Sequence, residues 1–240
     1  MQRKCYSGTI DEFIEKNKYP SILPTWNEGE DRNLLPYIPI IQINTWPTAK
    51  WKEMHNEIQK LEDEFIVHRR HDNHSGWESL CLFGLSSVHI GSQGSYGYST
   101  FNEKNHWTDV SDFVPYTKEF VLSMGFLELS RVRIMKIKLG GYLFPHYDSE
   151  KKGIGAVNVS IYTPNYCKFY IDGFGYLPFG SYQHSDMIHD PHVICPNNGY
   201  YHCVQYKSTP YDLDRYHLII DGKKSKEFYK LEDENIRNSS

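Results

Sequence analysis

Apolar residues recur in two stretches of the chain at the three- and four-residue steps of an amphipathic helix. The first stretch runs from Thr48 to Phe65, and Thr48 is a suitable N-cap residue for it. Five residues of this stretch share one helical face: Trp51, Met54, Ile58, Leu61 and Phe65. A second, shorter helix is predicted from about Pro115 to Met124. Its inward residues are expected to be Phe120, Val121 and Met124.

Most of the remaining apolar, β-branched and aromatic residues lie in short runs bounded by Gly, Pro, Asn and Asp, which is typical of β-strands. An early strand is expected in IPIIQINT, and Asp172-Gly173 is a tight-turn signal between two later runs. The later predicted strands are Glu78–Ser86, Ser130–Leu139, Gly155–Thr163, Cys167–Ile171, Phe174–Phe179, His202–Tyr206 and Arg215–Asp221. Many short strands without intervening helices favour a mainly β, antiparallel sandwich or barrel, with the helices buttressing one face.

No internal repeat or low-complexity linker divides the 240 residues, so we expect one domain. The first 45 residues are rich in Pro, Asn and Tyr and read as largely irregular structure. The tail after Asp221 is charged and is expected to fray.

Composition narrows the possible functions. A net charge of −4 gives no general attraction to nucleic acid or anionic membranes, and no run has the length of a membrane span or a signal peptide. The five cysteines are scattered without CxxC spacing, which argues against a disulfide framework or a zinc ribbon and fits a reducing cytoplasm. We therefore expect a cytoplasmic globular protein with neither nucleic acid nor membrane as partner.

The segment GGYLFPHYDSE, Gly140 to Glu150, contains a candidate metal-binding pair. In an extended segment residues i and i+2 project to the same side, so His146 and Asp148 can bind one ion. Non-haem iron prefers two His and one carboxylate on one face of its coordination shell. Five downstream histidines compete for the third position: His184, His189, His192, His202 and His217.

His202 is the best candidate for the third ligand, because it opens a strand-like run 13 residues before Arg215. Arg215 begins the last predicted strand. A guanidinium buried inside a barrel must be paired, and a carboxylate suits its planar fork. A dicarboxylate that chelates the metal at one end and reaches Arg215 at the other would satisfy both groups, which is the geometry of 2-oxoglutarate.

The arrangement HYD…H…R in predicted β structure resembles the Fe(II)/2-oxoglutarate dioxygenases, and among them the aspartyl/asparaginyl β-hydroxylase-like branch with its proline-hydroxylase-type relatives. The resemblance extends over roughly Trp77 to Gly222. Four segments carry it: SGWESLCLFGLSS, PYTKEFVLSMGFLELSRVRIMKIKLGGYLFPHYDS, NVSIYTPNYCKFYIDGFGYLPF and HCVQYKSTPYDLDRYHLIIDG. It implies a double-stranded β-helix (jelly roll, cupin-like) for a single catalytic domain of residues 1–222, with 1–70 as an extension with a supporting helix, 77–222 as the core and 223–240 as the charged tail.

The resemblance also assigns roles. His146, Asp148 and His202 would bind Fe(II), and Arg215 would hold the distal carboxylate of 2-oxoglutarate. Arg133 and Asn158, inward-facing by strand parity, would touch cosubstrate or substrate, and Trp77 would line the substrate pocket. The implied reaction consumes O2 and 2-oxoglutarate, releases succinate and CO2, and hydroxylates a C–H bond of an amino acid, peptide residue or similar polar small molecule.

Two features depart from the family pattern. The best-known animal members lack the carboxylate ligand that Asp148 supplies here. The connection KSTPYDLD lengthens the spacing from His202 to Arg215.

Several residues have plainer interpretations. His217 is expected to pack near the site, and the loop histidines His184, His189 and His192 to be solvated within a long connection, Gly180–Tyr201, that is either a lid or a simple loop. The default for His68, His71 and His74 is an exposed loop, with a ligand-facing patch as the alternative. Arg131 and Arg133 share a face that cannot easily bury both, and Arg133 is favoured as the buried one. Trp77 is as compatible with the core as with a pocket.

Two other functions stay open. One is a cupin-like enzyme with the same metal ligands and no 2-oxoglutarate, and the other is a catalytically silent binding module.

Overall fold

The computed structural model describes residues 40–42, 46–68, 75–87, 103–146, 157–164, 167–171, 175–177, 192–194, 202–206 and 214–238. The helices in these ranges are α1 (Trp51–Gln59), α2 (Pro115–Ser123) and α3 (Lys226–Asn238), with 3-10 turns at Glu62–Glu64 and Asp109–Phe113. The strands are β1 (Ile40–Gln42), β2 (Ile66–Val67), β3 (Ser75–Gly84), β4 (His106–Trp107), β5 (Phe126–His146), β6 (Val157–Tyr162), β7 (Cys167–Ile171), β8 (Gly175–Leu177), β9 (His192–Ile194), β10 (His202–Tyr206) and β11 (Arg215–Lys224).

The strands form an antiparallel sheet. Their order is β1-β9-β6-β11-β5-β10-β7-β8; β3 pairs with β5 as well, and β2 and β4 pair with β3. All pairings among the described strands are antiparallel. The sequence prediction of a mainly β, antiparallel protein with helices is confirmed.

β5 joins two parts of the sheet. Its first part lies between β3 and β11, and its last part pairs with β10. The glycines of the GGYLFPHYDSE segment lie where β5 passes from one pairing to the next. There Gly76 of β3 has φ +65°, and a Cβ at Gly76 would lie 3.1 Å from Gly141 Cα. The positive φ and this close backbone approach explain why glycine stands at position 76.

One face of the sheet packs against α1 and α2, and we call it the helix side. A rung of directly opposed residues shows its character: Leu80, Ile134, Leu218 and Val159 are neighbours across four strands. All four are buried in one core with residues of both helices. Burial of this apolar surface is the main source of stability for the sheet.

The two predicted helices are present with altered ends. α1 ends at Gln59, and the chain continues as a 3-10 turn that still buries Leu61 and Phe65. The prediction of Thr48 as N-cap is wrong: α1 begins after Lys50, and Thr48 Oγ1 lies 2.5 Å from Ser123 Oγ of α2. The inward residues predicted for α2, including Phe120, are buried.

The segment after Asp221 does not fray as predicted. β11 continues to Lys224, and α3 follows. Ser225 Oγ accepts a hydrogen bond from the Phe228 N–H (3.1 Å), and the Phe228 ring packs 5.3 Å from that of Phe126. The buried Phe228 therefore anchors the helix to the beginning of β5. No helix among the described residues is long and apolar enough to cross a membrane.

Candidate functional site

The face of the sheet opposite the helix side carries the candidate site, and we call it the site face. Directly opposed residues of an antiparallel sheet share a face, and alternate residues of a strand do so too. Three rungs follow from the register: Trp77–Ile137–Arg215, then Ser79–Met135–His217–Ser160, then Cys81–Arg133–Ile219–Asn158. The sheet therefore gathers Trp77, Arg133, Asn158 and Arg215 on one face.

Arg215 is buried at the beginning of β11. Its side chain is 1% exposed and is among the largest fully buried side chains of the described residues. A guanidinium keeps its charge at any physiological pH, so burial favours contact with an anionic group that matches its fork of donors. Arg215 thus has the properties expected of a carboxylate-binding residue.

His217 lies two residues after Arg215 on the same face, where the sequence predicted a packing residue near the site. It is 5% exposed, and its Nδ1 atom has no hydrogen-bond partner in the part of the chain that the structure describes. Burial, followed by the positive charges of Arg215 and Arg133, holds the pKa of His217 well below its ordinary value of 6.5. His217 is therefore a neutral imidazole at pH 7, able to form a hydrogen bond without adding charge.

Arg133 and Asn158 lie on either side of Ile219, each as its direct neighbour across the sheet. Both are 7% exposed. Cys81, opposite Arg133, completes this rung, and burial raises the pKa of its thiol to about 11 against the opposing charges of Arg133 and Arg131. Cys81 is therefore a neutral thiol and not a nucleophile at pH 7.

The burial of Arg131 was not predicted from the sequence. Both Arg131 and Arg133 are buried, at 8% and 7% exposed, although the sequence favoured burial of Arg133 alone. Arg131 is accommodated because its Nε and Nη2 both lie 2.9 Å from Asp221 Oδ2. A charge-assisted pair of this kind offsets the cost of removing a guanidinium from water.

Trp77 is 7% exposed and belongs to the same rung as Arg215. Its ring lies 4.3 Å from that of His68, whose Nδ1 is 3.0 Å from Ser79 Oγ. His68 is itself buried, so the exposed-loop expectation is wrong for this residue. His71 and His74 lie outside the described residues.

The two histidines of the predicted metal site are opposed in the sheet. β5 and β10 pair with His146 and His202 as Cα partners, and His202 is also paired with Ile171 of β7. Asp148 lies outside the described residues. Among the residues that are described, no group of three or more His, Cys, Asp or Glu side chains is arranged to hold a metal ion.

The long connection after Gly180 contains a strand in its described part. His192 begins β9, where it is the Cα partner of Gln42, and β9 also pairs with β6. His184 and His189 lie outside the described residues.

No protein-family model and no curated protein sequence matches the chain. Solved structures do resemble it. A Pseudomonas putida prolyl-4-hydroxylase has 9% identity and a TM-score of 0.42, covering 78% of this chain and 93% of that one. A Trichoplax adhaerens prolyl hydroxylase in complex with a hypoxia inducible factor peptide fragment has 13% identity and a TM-score of 0.47, covering 80% and 86%.

A third structure, an oxidoreductase of the 2OG-Fe(II) oxygenase family from Burkholderia pseudomallei, has 11% identity and a TM-score of 0.41, covering 92% of this chain and 95% of that one. Identities and TM-scores of this size do not assign the chain to a family.

Proposed function

We propose that the protein is an Fe(II)- and 2-oxoglutarate-dependent oxygenase that hydroxylates a C–H bond of an amino acid, peptide residue or similar polar small molecule. The observation that carries the proposal is the buried Arg215, which shares the polar site face with Arg133, His217 and Asn158. A site that binds only apolar molecules does not need buried guanidinium groups. A site that binds a dicarboxylate cosubstrate does need them, because they pair with its carboxylates.

A double-stranded β-helix is the fold proposed around this site. The strand order supports it, because β5 belongs to two four-stranded sets, β9-β6-β11-β5 and β5-β10-β7-β8. In the proposed arrangement these sets are the two sheets of the jelly roll. The site face of the first set would then line the interior, and α1 and α2 would cover its outer side.

The proposed iron ligands are His146, Asp148 and His202. Two imidazoles and one carboxylate form the donor set that non-haem Fe(II) prefers. The register of β5 and β10 supports the assignment, since the Cα atoms of directly opposed antiparallel residues lie only ~5 Å apart. Asp148 follows His146 by two residues, close enough in the chain to complete the set.

The other residues would position the organic ligands. Arg215 would bind the distal carboxylate of 2-oxoglutarate, with the neutral imidazole of His217 beside it as a hydrogen-bonding group. Arg133 and Asn158 would contact the cosubstrate or the substrate, and Trp77 would exclude water from this end of the site. When bound, the iron would supply the oxidising chemistry that converts 2-oxoglutarate and O2 to succinate and CO2 as the substrate is hydroxylated.

Anaerobic titration of the apoprotein with Fe(II) and 2-oxoglutarate tests the proposal. The wild type is expected to develop the visible charge-transfer band of an iron-bound 2-oxo acid. His146→Ala should abolish the band, whereas His106→Ala, at an exposed histidine of β4, should leave it unchanged. Iron binding without a band would favour the cupin-like alternative. Absence of iron binding by the wild type would contradict the proposal and favour the silent binding module.

A further inference from the structure

A cluster of charged and polar residues lies on the helix side of the sheet, on the opposite face from Arg215. Glu78, Lys136 and Tyr216 form a cross-strand rung in β3, β5 and β11. Each is the chain neighbour of a residue in the Trp77–Ile137–Arg215 rung, so the two rungs are the two faces of the same short piece of sheet. A group that fixes the rear rung therefore also fixes the backbone from which Arg215 projects.

Glu62 provides that group from outside the sheet. It lies in the 3-10 turn after α1 and accepts hydrogen bonds at its two oxygens, from Lys136 Nζ to Oε1 (2.5 Å) and from Tyr216 Oη to Oε2 (2.8 Å). One carboxylate thus joins β5, β11 and the turn after α1. We call Glu62 with Glu78, Lys136 and Tyr216 the rear clamp.

Lys136 is the buried cation at the centre of the rear clamp. Its side chain is 1% exposed, yet its Nζ atom lies 2.7 Å from Glu78 Oε2 and also contacts Glu62 Oε1. The same ammonium group lies 4.7 Å from the centre of the Phe65 ring. The Glu62 side chain is 45% exposed, but its carboxylate is one of two that contact the buried Lys136 Nζ, so the strands are expected to adjust when Glu62 is lost.

Glu62 is ionised under the conditions of a binding experiment. Burial alone would raise the pKa of its carboxyl, but the hydrogen bonds from Lys136 and Tyr216 and the charges of Lys136 and Lys138 lower it below its ordinary value of 4.5. Burial, followed by the hydrogen bond to Glu62, raises the pKa of Tyr216, which keeps its hydroxyl protonated as a donor. At neutral pH Glu62 is therefore a carboxylate that accepts the hydrogen bond from the protonated Tyr216 hydroxyl.

We propose that Glu62 is a positioning residue for Arg215: it holds the beginning of β11 in register so that the guanidinium meets the distal carboxylate of the cosubstrate. This inference rests on the proposed function. The proposed role of Glu62 differs from a general stabilising role because it affects only the binding of the distal carboxylate of the ligand. A ligand without a distal carboxylate does not use Arg215 and should be insensitive to Glu62.

The test compares two 2-oxo acids on the anaerobic Fe(II) protein: 2-oxoglutarate, and 2-oxobutanoate, which lacks the distal carboxylate. Glu62→Gln keeps the side-chain length and removes the charge. It should raise the Kd of 2-oxoglutarate about fivefold, the worth of one charged hydrogen bond that is weakened and not lost. The Kd of 2-oxobutanoate should stay unchanged. Glu64→Gln, at a second exposed glutamate of the same turn, is the matched control and should change neither Kd.

Tyr216→Phe is a second variant, which removes one hydrogen bond to Glu62 and keeps the ring, and it carries the test if Glu62→Gln does not fold. It should shift the Kd of 2-oxoglutarate in the same direction by a smaller factor. Equal weakening of both 2-oxo acids, or no weakening of either, would overturn the inference while leaving the proposed function intact. If the wild type shows no preference for 2-oxoglutarate over 2-oxobutanoate, the proposed role of Arg215 fails and the inference falls with it.

Discussion

The two faces of the central sheet differ in chemistry although both are buried. On the helix side, the rung Leu80–Ile134–Leu218–Val159 is wholly apolar and packs on α1 and α2. One residue further along the same strands, on the site face, the rung is Cys81–Arg133–Ile219–Asn158. The same four strands therefore carry a hydrophobic core on one side and a row of buried polar groups on the other.

This difference has an energetic consequence. Apolar burial on the helix side lowers the free energy of the folded state by ~25 cal/mol for each Å² removed from water. Burial of guanidinium and imidazole groups costs free energy unless partners satisfy them, so a sheet selected for stability alone would not carry them. In the proposed function, the polar groups of the site face also contact a ligand.

The largest expected effect comes from breaking the ion pair of the site face. Asp221→Leu would leave the buried guanidinium of Arg131 without the carboxylate that it contacts through two nitrogens. The expected loss is ~3–5 kcal/mol in the free energy of unfolding, measured by urea denaturation.

The matched control is the double variant Arg131→Met with Asp221→Leu, which replaces the pair by apolar side chains. Because such replacements are often neutral or stabilising, the double variant should recover most of the loss. If Asp221→Leu lowers the free energy of unfolding by less than about 1 kcal/mol, the pair contributes no more than an exposed salt bridge, which contradicts this prediction.

A smaller loss in the free energy of unfolding is expected from His217 as the pH falls. Its folded pKa lies well below 6.5, so the unfolded chain takes up a proton that the folded protein does not. The stability contributed by the neutral imidazole is complete above pH 6.5 and declines below it. Between pH 7 and pH 5.5 this residue should account for a loss of ~1 kcal/mol in the free energy of unfolding.

His217→Leu should remove that part of the pH dependence, because leucine does not titrate. His106→Leu, at an exposed histidine, is the control and should retain it. Equal pH dependence in wild type and His217→Leu would mean that the pKa of His217 does not change on folding, which would contradict the lowered pKa of the buried imidazole.

Short-range pattern was sufficient to predict much of this architecture. The short run of β-branched and aromatic residues at 215–221 predicted β11, and the period of three to four along residues 51–65 predicted α1, because both signals depend only on the local chain. Strand parity also placed Arg133 and Asn158 on one face, as the register shows. It required no knowledge of the partners across the sheet.

Features that depend on distant partners could not be predicted in this way. Arg131 is buried because Asp221 meets it, 90 residues further along the chain. Thr48 contacts Ser123 instead of capping a helix, and the charged segment after Asp221 is held as a helix because Phe228 finds Phe126. In each case the tertiary contact outweighs the local signal, and one sequence does not reveal that contact.

The central claim is that Arg215 gives the site face its preference for a dicarboxylate, and the most direct test is the Kd of 2-oxoglutarate and of 2-oxobutanoate in wild type and Arg215→Met. Methionine keeps much of the volume and removes the charge. The account predicts that the substitution weakens 2-oxoglutarate binding by about ten- to a hundredfold, the worth of hydrogen bonds to a charged group, and leaves 2-oxobutanoate binding unchanged. An unchanged Kd for 2-oxoglutarate, or the same loss for both ligands, would contradict it.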